Sequence, residues 1–335
     1  MPKIAIIGAG MSGLSALQQL TQQGHEVTVF EKSRGSGGRL ASKKSGTASW
    51  DMGAQFIKAN TAEFAQQLTQ WHQQGWIMPW EITPWLITTA ERHPSPDDAT
   101  RYVAVSRMTA LSRQLLKPAQ VFMTETRITQ CHFHDQRWHL HDDKGITHKG
   151  FDALIIALPP RQAAPLLEES PALAHACSVN MMPCWTLLLA LDSPLQEPWD
   201  AAFVKDSPIT WVARNSSKPE RDPQETWVIQ ASHEWSQRHC DDSRERIQTA
   251  LLTEFQHLTH TPFPNIATQW LHRWLYAIPE QPSTIGFLFD PERSLGVCGD
   301  WLKGRNIEDA WISGQDAGNA IARHLNGPMN LQRQQ

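Results

Sequence analysis

Three glycines, an acid and a guanidinium near the N-terminus have the types and spacing to grip a dinucleotide. In Gly8-Ala9-Gly10-Met11-Ser12-Gly13, Gly8 permits a tight turn and Gly10 lets the backbone approach a pyrophosphate at a helix N-terminus. Gly13 lets the helix pack closely on the preceding strand. Glu31 stands where ribose hydroxyls would donate to it, with Lys32 beside it, and Arg34-Gly35-Ser36-Gly37-Gly38-Arg39 adds glycines and a guanidinium suited to a diphosphate. NAD dehydrogenases share the glycine motif, so alone it is weak. A second element, Cys298-Gly299-Asp300-Trp301 running into a small-residue helix, lies at the other end of the chain. The pair points to FAD rather than NAD, because an enzyme using only the first motif leaves the second unexplained.

These groups need a parallel sheet to hold them. Lys3-Ile4-Ala5-Ile6-Ile7 reads as a buried strand leading into a helix with Leu14, Leu17 and Leu20 on one face, and Glu26 to Glu31 as the next strand. Phe151 to Pro160 reads as a buried strand stopped by prolines, and Leu295 to Asp300 as a final strand. The helix after Asn306 carries Ala310, Gly314, Ala317 and Gly318, small enough for close packing. Runs at Gln120–Met123, Arg127–Cys131, Arg137–His141 and Ile146–Lys149 predict an antiparallel meander. Helical spacing covers Thr61 to Trp76, and a short strand and helix cover Arg101 to Leu116. Strands at Trp185–Ala190, Trp211–Arg214 and Trp227–His233 suit one antiparallel sheet, with Asn215 to Glu225 a polar loop. Asp242-Ser243-Arg244-Glu245 has capping-box spacing before a helix through Phe255. Trp270 to Ala277 closes this region.

The order of Gly-Ala-Gly-Met-Ser-Gly, Ser-Gly-Gly-Arg, Asp51-Met52-Gly53-Ala54-Gln55-Phe56, Phe151-Asp152-x-Leu-Ile-Ile and the late Cys-Gly-Asp resembles the renalase family, a branch of the flavin amine oxidase superfamily. The resemblance implies an α/β fold with an FAD-binding Rossmann-like parallel sheet and β-meander, plus an α+β substrate domain with an antiparallel sheet. The FAD domain would comprise 1–58, 101–160 and 291–326, the substrate domain 59–100 and 161–290, and 327–335 a polar tail. It implies cofactor contacts from Gly8, Gly10, Met11, Ser12, Gly13, Glu31, Lys32, Gly38, Arg39 and Gly53-Ala54-Gln55-Phe56. Asp300, after Gly299, would take the ribityl hydroxyls, and the helix beginning Asn306, Ile307 and continuing to Ala310 would point its N-terminus at the flavin C2 carbonyl. Arg127-Ile128 resembles the strand that meets the adenine; it reads equally as an ordinary meander strand. Cys298 does not occupy the family's tethering position, so non-covalent FAD is expected.

The implied activity is oxidation of 2- or 6-dihydro isomers of NAD(P)H, giving NAD(P)+ and, with oxygen as acceptor, hydrogen peroxide. Only hydride leaves such a substrate, so no protein base is required. Fifteen tryptophans against two tyrosines supply flat apolar surface, mostly for the core. Substrate-pocket candidates are Arg107, Asn180, Trp185, Arg214, His233, His272, Arg273, Trp274 and Tyr276. Two other readings remain open: a flavin amine oxidase, with Trp274 and Tyr276 as an aromatic pair, and a non-catalytic flavin-binding redox sensor.

A net charge of −4 without a basic tract gives no reason to expect nucleic acid or an anionic membrane as partner. No apolar run approaches the roughly 20 residues that span a bilayer, and nothing resembles a signal peptide, so a cytoplasmic protein is expected. The five cysteines, Cys131, Cys177, Cys184, Cys240 and Cys298, have no paired or metal-type spacing. His132, His134, His139 and His141 alternate as on a solvated strand face, and no metal site is expected.

Overall fold

A computed structural model describes residues 1–327. The chain forms two compact units: 1–38, 112–181 and, among the described residues, 278–327 make the first, and 39–111 with 182–277 the second. These boundaries differ from the expected lobes. Residues 39–58 and 101–111 belong to the second unit, and 161–181 and 278–290 to the first. The expected tail lies outside the described residues beyond Gly327.

The first unit is built on a six-stranded sheet. Lys3–Ile7 pairs in parallel with Glu26–Phe30 on one side and Ala153–Ile156 on the other. Leu295–Val297 extends the sheet beyond Ala153–Ile156, followed by antiparallel Leu288–Asp290. At the opposite edge Val121–Met123 runs parallel to Glu26–Phe30. The run at Gln120–Met123 therefore leaves the meander expected for it. A strand that follows a helix, here Met108–Leu116, can return in parallel, whereas the tight turn at Asp135-Gln136 commits its neighbours to antiparallel pairing. The meander is Ile128–His134, Arg137–Asp142 and Thr147–Phe151.

Burial explains the central strands: Ile4 through Ile7 and Ala153 through Ile156 are buried, as required with both faces covered. One covering layer is the helix Met11–Gln22, which packs on the C-terminal helix Ile307–Asn326. A Cβ on Gly314 would lie 2.1 Å from the Ser12 carbonyl oxygen, and one on Gly318 would lie 3.0 Å from that of Ala16. Ser15 Oγ donates to the Trp311 carbonyl, 2.7 Å. Because backbone opposes Gly314, Gly314→Leu is expected to force the helices apart and cost about 3 kcal/mol, read as a lowered urea midpoint.

The second unit holds a seven-stranded sheet. Its order is Ile266–Pro279, Met181–Leu191, Thr226–Ala231, Ile209–Arg214, Ala201–Val204, Trp85–Ile87 and Arg92–Pro94. The three strands expected to be neighbours are adjacent and antiparallel. His233 is not part of its strand: Ser232 caps a short helix there, accepting from Trp235 N–H. The cap of Arg244–Leu258 is Ser243, one residue after the expected Asp242. That helix buries Ile247, Leu251 and Phe255 on the core of Trp185, Trp199 and Trp227. Among the described residues no helix is long and apolar enough to cross a membrane.

Candidate cofactor and substrate site

The glycine turn has the shape a dinucleotide needs. Gly8, at φ +105°, leaves no room for a side chain, since a Cβ would meet the Ala157 carbonyl at 2.5 Å. At Gly10 there is open space instead: nothing lies within 4 Å of where a Cβ would stand. Gly10 is also the N-cap of the Met11–Gln22 helix, with no side-chain cap and no acid in the first turn. The helix therefore presents backbone N–H groups and its positive end to a cradle without a side chain, which fits a pyrophosphate. Gly38, at φ +52°, approaches the Gly10 Cα, and Gly37 N–H donates to the Ala9 carbonyl, 2.8 Å.

Glu31 is buried at the end of its strand. Its Oε2 accepts from Ala9 N–H at 3.0 Å and its Oε1 from Ser33 N–H at 2.8 Å, so the carboxylate is fixed before any ribose arrives. Thr126 N–H bonds the Glu31 carbonyl, which brings Arg127 and Ile128 to the same end of the sheet. Lys32 donates to Gln162 at 3.3 Å; burial and then Arg127 hold its ammonium below the ordinary lysine pKa.

From the chain's other end, Gly299 N–H donates to Ser313 Oγ, 3.0 Å, and buried Asp300 begins a short 3-10 turn. Cys298 is buried and its thiol is pushed up to about 12, so it is no nucleophile. The C-terminal helix is closed by a capping box. Asn306 Oδ1 accepts from Asp309 N–H, and the Asp309 carboxylate accepts from Asn306 N–H. Glu308 and Asp309 thus place negative charge in the first turn, before Ala310, and offset the dipole expected to act there after Ile307.

In the second unit, Asp51 to Phe56 is a heavily braced turn. Ala54 N–H donates to the Arg39 carbonyl, 2.9 Å, and a Cβ at Gly53 would overlap that oxygen at 2.0 Å. Trp274 Nε1 donates to the Met52 carbonyl, 3.0 Å, and Gln230 Nε2 to that of Gly53, 2.7 Å. The Arg39 guanidinium donates to the Ala277 carbonyl, 2.8 Å. Phe56 packs on Trp211, with ring centroids 5.5 Å apart.

Of the pocket candidates, three share one face of the Ile266–Pro279 strand. Leu271 faces the core, so by the two-residue period Trp270, His272, Trp274 and Tyr276 face away from it. The His272 and Trp274 rings meet edge-on at 4.4 Å. Burial, then nearby Arg244, lowers the His272 pKa and favours neutral imidazole. The remaining candidates lie off that face. Trp185 is core, its indole N–H on the His239 carbonyl, and Arg273 stacks on it at 5.3 Å. Arg214 pairs with Asp200 and Glu225, and His233 Nδ1 meets the Pro183 carbonyl. Arg107 precedes the Met108–Leu116 helix and Asn180 is exposed, its carbonyl taking Glu280 N–H.

Sequence reasoning missed a buried ionic cluster beside the turn. Asp51 is wholly buried and accepts from Lys218 Nζ at 3.1 Å, Arg221 at 2.8 Å and Met108 N–H at 2.8 Å. Lys218 and Arg221 come from the segment expected to be a polar loop; nothing in Lys218-Pro219-Glu220-Arg221 distinguishes it from a solvated one.

The family described as NAD(P)-binding Rossmann-like domain matches residues 6–70, and that described as flavin containing amine oxidoreductase matches residues 102–322. Among solved structures, a putative protoporphyrinogen oxidase from Exiguobacterium sp. 255-15 superposes with TM-score 0.78 at 12% identity, covering 96% of this chain and 98% of that one. Cyclohexylamine oxidase from Brevibacterium oxydans IH-35A gives 0.77 at 15% identity, covering 97% and 100%. At such identities the likeness is one of fold. A 4,4'-diapophytoene desaturase of Staphylococcus aureus (strain Newman) is 47% identical over 55 residues, which is 16% of this chain and only 11% of the desaturase. A dinucleotide cradle alone would suit many oxidoreductases, but the second match takes in well over half of the chain, so the protein belongs to the flavin-containing amine oxidoreductase family and is an FAD-dependent oxidoreductase.

Proposed function

We propose that the protein is a renalase-type oxidase acting on a 2- or 6-dihydro isomer of NAD(P)H, with FAD held non-covalently. When bound, FAD would supply the two-electron acceptor for the hydride that leaves ring carbon 2 or 6, giving NAD(P)+, and would pass both electrons to O2, which with the hydride's proton and one from solvent gives H2O2. The observation that carries the reading is the strand face of Trp270, His272, Trp274 and Tyr276 beside the Met52-Gly53 turn. A planar dihydropyridine stacks on such a wall, and Trp274 is fixed for the purpose by its bond to the Met52 carbonyl. Neutral His272 offers the carboxamide a hydrogen bond without acting as a strong proton donor to the dihydropyridine. Since only hydride leaves, the chain's contribution is orientation and exclusion of water.

An amine oxidase is the second reading. Trp274 and Tyr276, two residues apart on a strand, share a face and can flank a neutral amine. Cyclohexylamine oxidase and putrescine oxidase are structural neighbours by name.

Anaerobic mixing of the yellow protein with 2- and 6-dihydro-NAD(P)H, and separately with amines, tests both. Bleaching of the visible band by a dihydronicotinamide isomer, reversed by air with peroxide release, is expected; bleaching by an amine alone would transfer the assignment to the second reading. Trp274→Ala should raise KM for the dihydronicotinamide about two- to tenfold, the worth of one lost aromatic stack, with kcat less affected.

A further inference from the structure

Lys218 is the least expected member of the buried cluster. Its side chain is fully buried, and its ammonium meets Asp51 Oδ2 at 3.1 Å, Gln55 Oε1 at 3.2 Å and the Trp80 ring at 5.3 Å. Asp51 does not need it for neutrality. Arg221 already supplies a cation at 2.8 Å, and Met108 N–H and Ser42 Oγ add bonds at 2.8 and 2.9 Å. A second cation leaves the buried cluster with net positive charge, which costs stability. What Lys218 adds is the bond to Gln55.

That bond sets the polarity of the Gln55 amide. A primary amide has a donor end and an acceptor end. With the ammonium on Oε1, the NH2 group must point back, and it donates to the carbonyls of Asp51 and of Gly53, the latter at 3.0 Å. The side chain thereby staples the turn from which it projects.

We propose that Lys218 is a positioning residue for the cofactor: clamped by Asp51, its ammonium holds the Gln55 amide in the orientation that staples the Gly53–Gln55 turn. This rests on the reading that Gly53 to Phe56 contacts the flavin. A neutral lysine nitrogen can accept as well as donate, so losing the proton removes the constraint on the amide. The charged groups facing Lys218 are Asp51 and Arg221. Burial, with Arg221 adding to it and Asp51 opposing, pushes the Lys218 ammonium down to about 8, within reach of experiment.

The test compares wild type, Lys218→Met and Gln55→Leu as FAD-loaded proteins, by FAD affinity, flavin midpoint potential and visible spectrum from pH 6 to 10. Urea unfolding of each apoprotein runs in parallel. Lys218→Met keeps the Asp51–Arg221 pair and should fold; Lys218→Gln, which keeps a donor but no charge, serves if it does not. The wild-type flavin should show one titration near pH 8 that both Lys218 variants lack. Lys218→Met and Gln55→Leu should each weaken FAD about tenfold, the worth of one charge-assisted hydrogen bond. If Gln55→Leu disturbs the flavin and Lys218→Met leaves affinity, potential and pH response at wild-type values, the proposal is overturned and the reading of the turn stands. If neither variant disturbs the flavin, both are overturned.

Discussion

Asp51→Ala is expected to destabilise the protein by about 3–5 kcal/mol, because it leaves Lys218 and Arg221 buried without their anion. Met108 N–H, at the start of the Met108–Leu116 helix, and Ser42 Oγ lose the same acceptor. Urea unfolding at pH 7 measures the loss, and Asp51→Ala combined with Lys218→Met should recover part of it, since one orphaned charge is removed. A cost no greater than that of an ordinary surface substitution would refute the buried-cluster assignment.

The pH dependence has a definite sign for each partner. Burial opposes ionisation of Asp51, but Lys218, Arg221 and the Met108 N–H bond outweigh it and hold its pKa far below the usual carboxylate range. Its contribution is complete above the unfolded-chain value near 4 and is lost as pH falls through the folded value. Lys218 runs the other way. Its folded pKa, about 8, lies below the unfolded 10.5, so the unfolded chain holds more protons between these values. This group makes the fold gain stability as pH rises across that window, a gain absent from Lys218→Met.

The second large effect separates two glycines only two positions apart. Gly8→Ala should abolish stable folding or cost about 3–5 kcal/mol, since φ is +105° and the Cβ meets a backbone oxygen at 2.5 Å. Gly10→Ala meets nothing within 4 Å and should fold with less than about 1 kcal/mol of loss, the ordinary cost of an N-cap change. Its methyl would occupy the space into which a pyrophosphate must come, so FAD should bind about 10- to 100-fold more weakly and the protein should purify pale. Thermal unfolding of the apoproteins together with flavin titration distinguishes the two. A Gly10→Ala protein as yellow as wild type would remove the pyrophosphate from this turn.

Local pattern was enough for the central strands of the parallel sheet, though not for its Val121–Met123 edge. Apolar runs as short as Ile4–Ile7 and Ala153–Ile156, bounded by glycine or proline, read as buried strands, and a glycine turn after the first of them sets a helix N-terminus suited to a phosphate. The small residues of the last helix likewise announced close packing, although that Gly314 meets Ser12 is a matter of which helices adjoin. Sequence spacing also marked Trp274 and Tyr276, but gave no means of separating them from Trp185, which is equally aromatic and lies in the core.

The sequence by itself was enough for the candidate nucleotide turn, which depends on backbone conformations that few residues permit and on neighbours a few positions apart, and for FAD, through the pairing of that turn with the late Cys298-Gly299-Asp300. Only the tertiary structure decided that Gln120–Met123 joins the parallel sheet, that Arg214 pairs with Asp200, His233 with the Pro183 carbonyl and Arg273 with the Trp185 ring, and that Lys218 and Arg221 enclose Asp51. Lys218 stands 167 positions from Asp51. A lysine in a proline-bearing polar stretch has the local signature of a solvated loop; what makes it buried is the distant carboxylate it meets, and no local pattern encodes that meeting.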